Sequence, residues 1–327
     1  MLQNRCLLPA FAAIVVASAG AEHAAAQLYP SHPITLAMPF AAGGPGDTLA
    51  RILADGMRRS LGQPVIVENV TGASGSIGAG RVARAQNDGY SLILGNWTTH
   101  VVNAVTYPLP YDVVRDFEPV SLVASQPVII ISGRTLPAEN LSELIAWLKA
   151  NPKASAGNAG IGTASHLAAL FFRKETGTQF QLVPYRGGAP ATQDLLSGQI
   201  DLMFDLAANA LPQARAGSIR TYAVMAADRI GAAPDIPTVD EAGLPGLYLS
   251  LWNGVWAPKD TPKPIIERLD AAIRESLSDP EIRRHLIEIG HEIPPADQQT
   301  PDALRAYQKT EIEKWWPIIA AAGIRGE

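Results

Sequence analysis

The stretch Pro39-Phe-Ala-Ala-Gly-Gly-Pro-Gly-Asp47 constrains this chain more than any other. It follows a short apolar run, Ile34-Thr-Leu-Ala-Met38, that reads as a buried strand, and it precedes Thr48–Met57, whose apolar spacing reads as a helix. Glycines between a strand end and a helix start let the backbone approach a ligand closely. The unpaired N–H groups of the helix start then favour an anion. A second loop of the same chemistry, Gly157-Asn-Ala-Gly-Ile-Gly-Thr-Ala-Ser-His166, also opens a helix. Two such loops, one per half of the chain, predict a cleft that grips an anionic molecule from both sides.

Strand and helix patterns alternate around these loops. Strands are expected at Ile34–Pro39, Val65–Glu68 and Tyr90–Gly95, with helices at Thr48–Leu61 and Gly75–Ala85 between them. This βαβ pattern implies a parallel sheet covered on both faces. The apolar stretch Phe117–Ile131 is too long for an ordinary strand and carries Pro127, as expected of a strand that leaves one sheet and enters another. A second alternating unit has helices at Leu141–Ala150, Ala164–Thr176, Ala189–Ser197 and Ala207–Ala216. Its strands fall near Ala154–Gly157, Gln181–Pro184, Ile200–Phe204 and Arg220–Ala226, the last a candidate return crossing. After Leu249–Ala257, the helices Pro264–Ile289, with a break at Asp279-Pro280, and Pro301–Ala322 close the chain. The expected architecture is two doubly wound α/β domains joined by crossing strands. Residues 27–123 and 226–327 form a discontinuous domain I, and residues 124–225 form domain II.

The N-terminus predicts where the protein works. Arg5, the apolar stretch Leu7–Gly20 and Ala24-Ala-Ala26 before Gln27 have the form of a secretory signal peptide, residues 1–26, cleaved near Ala26/Gln27. The one cysteine, Cys6, lies inside it, so the mature chain is expected to lack disulfides, thiolate metal sites and Cys nucleophiles. About 300 residues remain, enough for two ordinary domains. Loss of Arg5 together with Glu22 leaves the net charge at −5, which argues against a nucleic-acid or anionic-lipid surface.

Catalytic readings find no support in the residues. Thr71-Gly-Ala-Ser-Gly-Ser-Ile-Gly78 nearly matches the dinucleotide loop of short-chain dehydrogenases, but Ser76 replaces a required Gly and no Tyr-x-x-x-Lys pair occurs. It reads better as a third ligand-facing helix start, which brings in Ser74. The nucleophile elbow Gly-x-Ser-x-Gly is absent, and Ser165 and His166 diverge on a helix. The mature histidines, His32, His100, His166, His285 and His291, have no paired metal-ligand spacing. No enzyme activity, cofactor or metal is expected.

The remaining candidates are binding residues. His166 can bond local backbone or donate to a bound carboxylate beside Thr163. Asp47 can cap its helix and pair with Arg51, or contact a ligand amine. Arg186, in Tyr185-Arg-Gly-Gly188, can clamp a distal carboxylate. Asn96 and Trp97 follow the strand Tyr90–Gly95 where the cleft should lie. Trp97, Tyr185, Asp205 and Trp252 are the expected cleft walls that set specificity.

Taken together, the motifs resemble the periplasmic solute-binding proteins of the tripartite tricarboxylate transporter system, the Bug family. The matching pieces include Tyr29-Pro30, Pro39–Asp47 with Arg51, Val67-Glu-Asn-Val-Thr-Gly-Ala-Ser-Gly75 and Asn87-Asp-Gly-Tyr90. Further pieces are Asp116-Phe-Glu-Pro-Val120, Gly160-Ile-Gly-Thr-Ala-Ser-His166, Pro184-Tyr-Arg-Gly187, Asp194–Asp201, Asp235-Ile-Pro-Thr238 with Glu241-Ala-Gly243, and Trp252-Asn-Gly-Val-Trp-Ala-Pro258. The resemblance implies a periplasmic-binding-protein fold of type II, with a carboxylate held between two hinged domains by backbone amides and ordered waters. The matching positions here are Phe40, Ala42, Gly43 and Gly44 in the first loop and Gly160, Gly162, Thr163 and His166 in the second. It also implies a monomer that delivers its ligand to membrane transporter subunits. A ligand-sensing module that docks on a sensor kinase shares the fold and is the alternative.

Overall fold

The computed structural model describes residues 29–326; the expected signal peptide and Cys6 lie outside the described residues. The first strand, β1 (Ile34–Met38), pairs in parallel with β2 (Val65–Asn69) and β3 (Ser91–Asn96). Between β1 and β2 runs α1 (Pro45–Leu61), and between β2 and β3 runs α2 (Ser76–Ala83). The 3.6-residue period of α1 buries Leu49, Leu53 and Met57 while Arg51, Asp55 and Arg58 face water. Pro45 at its first position needs no N–H partner, and Gly62 ends it in the left-handed conformation at φ 71°.

The long apolar stretch is a single strand, β4 (Phe117–Gly133). Its first part pairs with β9 (Ser250–Pro258), from Phe117↔Pro258 to Pro127↔Ser250. From Val128 onward it pairs with β7 (Leu202–Leu206) and β8 (Ile219–Val224). Pro127, which has no N–H to give a ladder, sits where the partner changes. The strands β5 (Ser155–Asn158) and β6 (Gln181–Pro184) complete a continuous sheet of order β2-β1-β3-β9-β4-β7-β5-β6, with β8 attached to β4. Neither part is purely parallel: β9 runs antiparallel to both β3 and β4, and β4 runs antiparallel to β7.

The helices of the second part are α4 (Leu141–Ala150), α5 (Ala164–Thr176), α6 (Gly188–Leu196) and α7 (Ala207–Arg215). The C-terminal helices are α8 (Lys263–Ser278), α9 (Pro280–Glu288) and α10 (Pro301–Ala321). Asp279 breaks the expected long helix by capping α9 with its carboxylate, accepting from Glu281 and Ile282 N–H groups.

Three expectations need correction. The return crossing is not Arg220–Ala226: β8 remains beside the second part of β4, and the chain re-enters the first part only at Ser250, at the start of β9. After Trp97, Thr98–Val102 forms a wide helical turn continued by α3 (Asn103–Thr106). Trp97 itself is fully buried, in edge-to-face contact with Trp315 of α10 at 5.0 Å between centroids. Phe171 of α5 stacks on the same Trp315 at 6.0 Å, so α10 ties core from both parts of the sheet together. Trp252 is also buried, and its indole N–H donates to Glu311 at 3.2 Å. Aromatic mass, not a ligand, explains both tryptophans.

Candidate ligand-binding site

Strands β1, β3, β5 and β7 all end toward one crevice between the two parts of the sheet, and the loops that follow them line it. Its inner chamber is small, about 50 Å³, and is lined by Gly44, Pro45 and Gly46 from the start of α1, the cap Thr163 with Ala164 and Ser165 at the start of α5, Gly188 from α6 and Leu206 at the end of β7. Asn96, Thr98 and Asp205 add polar side chains; Met38, Phe40, Ala41 and Leu251 add apolar wall. A wider vestibule of about 640 Å³ lies outside it, lined by Phe40, Ser74, Tyr107, Gly160, Tyr185 and Arg186 among others. Phe40 and Ala159 border both spaces.

Helix geometry leaves the first-turn amides without carbonyl partners. At α1 the cap residue is Gly44 and no side chain caps the turn, so the Gly46 and Asp47 amides are open to the chamber side. At α6 the cap is Gly187, again with no side-chain bond. At α5 the Thr163 hydroxyl accepts from His166 N–H, leaving the Ala164 and Ser165 amides. The start of α7 is already occupied: Leu206 N–H donates to Asp205 Oδ1 at 2.9 Å and Ala208 N–H to Gln126 Oε1 at 2.9 Å. Three uncommitted helix starts therefore converge on one small space. Among the described residues that line it, none is Lys, Arg or His.

The expected site residues divide into several groups. Phe40, Gly44, Asn96, Thr163 and Asp205 line the chamber, and the Asn96 amide group is held by Thr99 N–H donating to its Oδ1 at 3.1 Å. Ser74, Gly160, Tyr185 and Arg186 line the vestibule instead. Tyr185 donates to Asp194 at 2.6 Å, and burial together with that carboxylate pushes its phenol up to about 12. Arg186 is exposed and, among the described residues, makes no ion pair or side-chain hydrogen bond.

Ala42 and Gly43 lie on the exposed outside of their loop and line neither space. Gly43 N–H donates to Asp47 Oδ2 at 2.9 Å, so that amide is spent within the loop. Asp47 takes its structural role: it is buried and accepts from Arg51 Nε at 2.9 Å and Asn69 Nδ2 at 3.0 Å. Burial pushes its carboxyl up, but those bonds outweigh it and hold the group below its ordinary range. Gly162 faces Thr106 and Val102 at φ 80°, away from the chamber. Its N–H donates to His166 Nδ1 at 3.2 Å. Burial and nearby Arg173 lower His166 to about 4, so at neutral pH its one ring proton sits on Nε2 and Nδ1 serves the loop. The Ser74–Gly78 segment does not present a third helix start to the chamber. Asn103 Nδ2 donates to the Ser74 carbonyl at 3.0 Å and to Ser76 Oγ at 2.9 Å, holding that turn in place.

Two close approaches join the walls of the crevice. Ser74 Oγ donates to the Ile161 carbonyl at 2.5 Å, with Tyr107 hydroxyl 3.1 Å from the same Ser74 oxygen. Ala73 and Ser74 hold φ values of 44° and 49°, a strained left-handed turn that aims this hydroxyl. On the other side, Gly187 at φ 136° lies so close to the first loop that a Cβ there would be 3.2 Å from Ala41 N. The α6 start went unnoticed as a site element in the sequence, although the Gly187-Gly188 pair after a strand was its signal.

Comparison with known proteins agrees with this geometry. Residues 49–324 match the family model described as tripartite tricarboxylate transporter family receptor. A curated relative from Agrobacterium vitis, a UPF0065 protein of the TAR-I ttuE-ttuC' intergenic region, is 41% identical over 296 residues, covering 90% of this chain and 86% of its own. The structure of the periplasmic binding protein BugD is 40% identical with a TM-score of 0.88, covering 91% of this chain and all, 100%, of that one. The structure of MatC from Rhodopseudomonas palustris with bound malate is 36% identical with a TM-score of 0.85, covering 89% of this chain and 100% of that one. Receptors of this kind bind solutes and are not enzymes. The chain belongs to the tripartite tricarboxylate transporter receptor family, the Bug-type periplasmic solute-binding proteins.

Proposed function

We propose that this protein captures a small carboxylate in the inner chamber and delivers it to a membrane transporter of the tripartite tricarboxylate type. The observation that carries the reading is the convergence of three uncommitted helix starts, those of α1, α5 and α6, on one space of about 50 Å³. Each helix start stabilises a nearby anion by about 0.3–1 kcal/mol, up to about 2 when partly buried. With the Asn96 amide and the Ser165 hydroxyl beside them, micromolar affinity, about −8.2 kcal/mol, is within reach. The MatC structure carries malate, a carboxylate, which supports the same chemistry here.

Delivery requires loaded and empty protein to differ. We place the hinge in β4 and β9, which moves the expected lobe boundary from 226 to Ser250, so that residues 27–123 and 250–327 move as one lobe against 124–249, in a monomer exported to the periplasm after cleavage near Gln27. The starts of α1 and of α5 and α6 then sit on opposite lobes, so only closure brings all their amides to one carboxylate, and that difference makes the ligand favour the closed state. A thermal-shift screen with a library of carboxylic acids tests the reading. A true ligand at about 100 times its Kd adds about 2.7 kcal/mol of stability, and a library in which no acid raises the melting temperature contradicts it.

A further inference from the structure

We propose that His100 is a positioning residue of the chamber: through Thr99 it holds the Asn96 amide with its NH2 group turned to the ligand. This role rests on the carboxylate reading above and names what aims one of its donors. Thr98–Val102 is the wide helical turn that follows β3, and such turns are frequent at functional sites. Within it Thr99 N–H donates to Asn96 Oδ1 at 3.1 Å. A backbone N–H can be met only by the oxygen of a side-chain amide, so the NH2 group of Asn96 is the part left for the chamber that this residue lines.

Thr99 is held in turn. Its hydroxyl accepts from Asn96 N–H at 2.9 Å, and lies 3.1 Å from the Asn96 carbonyl oxygen and 2.9 Å from His100 Nδ1. A hydroxyl has one proton and two lone pairs. With the imidazole proton on Nδ1, all are used: Asn96 N–H and His100 Nδ1–H donate to Thr99 Oγ1, which donates to the Asn96 carbonyl. With the proton on Nε2, Thr99 must donate to the ring and the carbonyl loses that bond. The Nδ1–H form therefore makes three bonds where the other makes two.

The surroundings fix the ring in place. His100 is fully buried, stacked on Trp256 at 3.8 Å and edge-on to Phe117 at 4.8 Å between centroids. A Cβ on Gly95 would run into the imidazole, so that glycine makes room for it. The His100 carbonyl accepts from Gln308 of α10 at 2.9 Å. Burial pushes the imidazole below its ordinary value, to about 3, so at neutral pH it carries a single proton. A phenyl ring would fill this aromatic slot as well; the nitrogen serves Thr99.

Two measurements on the exported chain test this. Heteronuclear NMR of the imidazole nitrogens in the ligand-free parent reads the tautomer. Nδ1–H on His100 is expected, and Nε2–H overturns the proposal with no variant needed. Calorimetry with malate, or with whichever acid of the carboxylate library most raises the melting temperature, then compares two variants. His100→Phe keeps the stack and removes the donor; it should hold the melting temperature and bind about tenfold more weakly. His100→Asn returns an N–H near the Nδ1 position and gives up the stack; it should melt lower yet bind within about threefold of the parent. Unchanged affinity in His100→Phe, or affinity that only follows stability across the two variants, overturns the positioning role and leaves the carboxylate reading standing. No binding by any acid overturns both.

Discussion

The two glycine-rich loops look alike in sequence and divide their polar groups in opposite ways. The second loop is built largely for itself. Asn158 Oδ1 accepts from Gly160 N–H at 3.0 Å, Ser165 Oγ from Ala159 N–H at 2.8 Å, His166 Nδ1 from Gly162 N–H, and Thr163 caps α5 while donating to the Gly160 carbonyl at 2.6 Å. The first loop spends one amide, Gly43, on Asp47 and leaves the start of α1 without a side-chain cap. The rigid loop fixes where its two open amides point, and the uncapped one offers an anion a place that no side chain already fills. A glycine-rich strand-to-helix turn is therefore only half of an anion site; the other half is the missing cap.

The sharpest way to break this contrast is to supply the cap. Gly44 has φ −85° and ψ 174°, and a Cβ there meets nothing closer than Ala41 O at 3.4 Å. Gly44→Asp is therefore expected to fold, to hold or raise the melting temperature by giving α1 a side-chain cap, and to lose ligand binding altogether because its carboxylate takes the open amides. Calorimetry and thermal melts on the same sample check both halves. Retained binding would mean that α1 does not hold the anion.

The converse change loosens the rigid loop. Thr163→Ala removes a cap and a buried bond, so a stability loss of about 0.5–2 kcal/mol is expected, with affinity falling about tenfold as the Ala164 and Ser165 amides lose their fixed aim. Denaturant titration and calorimetry separate the two.

Asp47 gives a pH test of the first loop. Its folded pKa lies below the unfolded value, so its contribution is complete above the unfolded pKa of about 4 and is lost as pH falls through the folded one. Asp47→Asn should lower stability at pH 7 by roughly 1–2 kcal/mol, and the gap to the parent protein should shrink below pH 4. An unchanged gap would remove Asp47 as the loop's anchor.

The smallest effect belongs to the bridge across the crevice. Ser74→Ala deletes the bond to the Ile161 carbonyl. One hydrogen bond is worth about 0.5–1.5 kcal/mol, so affinity should weaken by a few-fold to about tenfold, through faster release, and stopped-flow dissociation reads it.

Local patterning made much of this legible in the sequence. The helices Leu141–Ala150 and Ala164–Thr176 and the strand Gln181–Pro184 have the expected bounds, because their periodicity and flanking caps act within a few residues. Two of the site's three helix starts, those of α1 and α5, were visible for the same reason. What stayed hidden depends on contacts distant in sequence. Trp97 is core because Trp315, on the last helix, covers it. The turn at Thr98–Val102 is helical where α10 packs on it: Gln308 donates to the His100 carbonyl at 2.9 Å and Trp316 to the Val101 carbonyl at 2.9 Å. Gly43 lost its expected role to a carboxylate four residues along, and Gly187 gained one because Ala41 lies against it. Loops announce their chemistry locally; which groups remain free is decided by the neighbours that fold against them.

The most direct test is a crystal structure of the chain with the tightest-binding acid from the screen. The account predicts a carboxylate in the inner chamber, its oxygens about 2.7–3.1 Å from open first-turn amides of α1, α5 and α6. A ligand seated wholly in the vestibule against Tyr185 and Arg186, with those amides bonded to water alone, would contradict it.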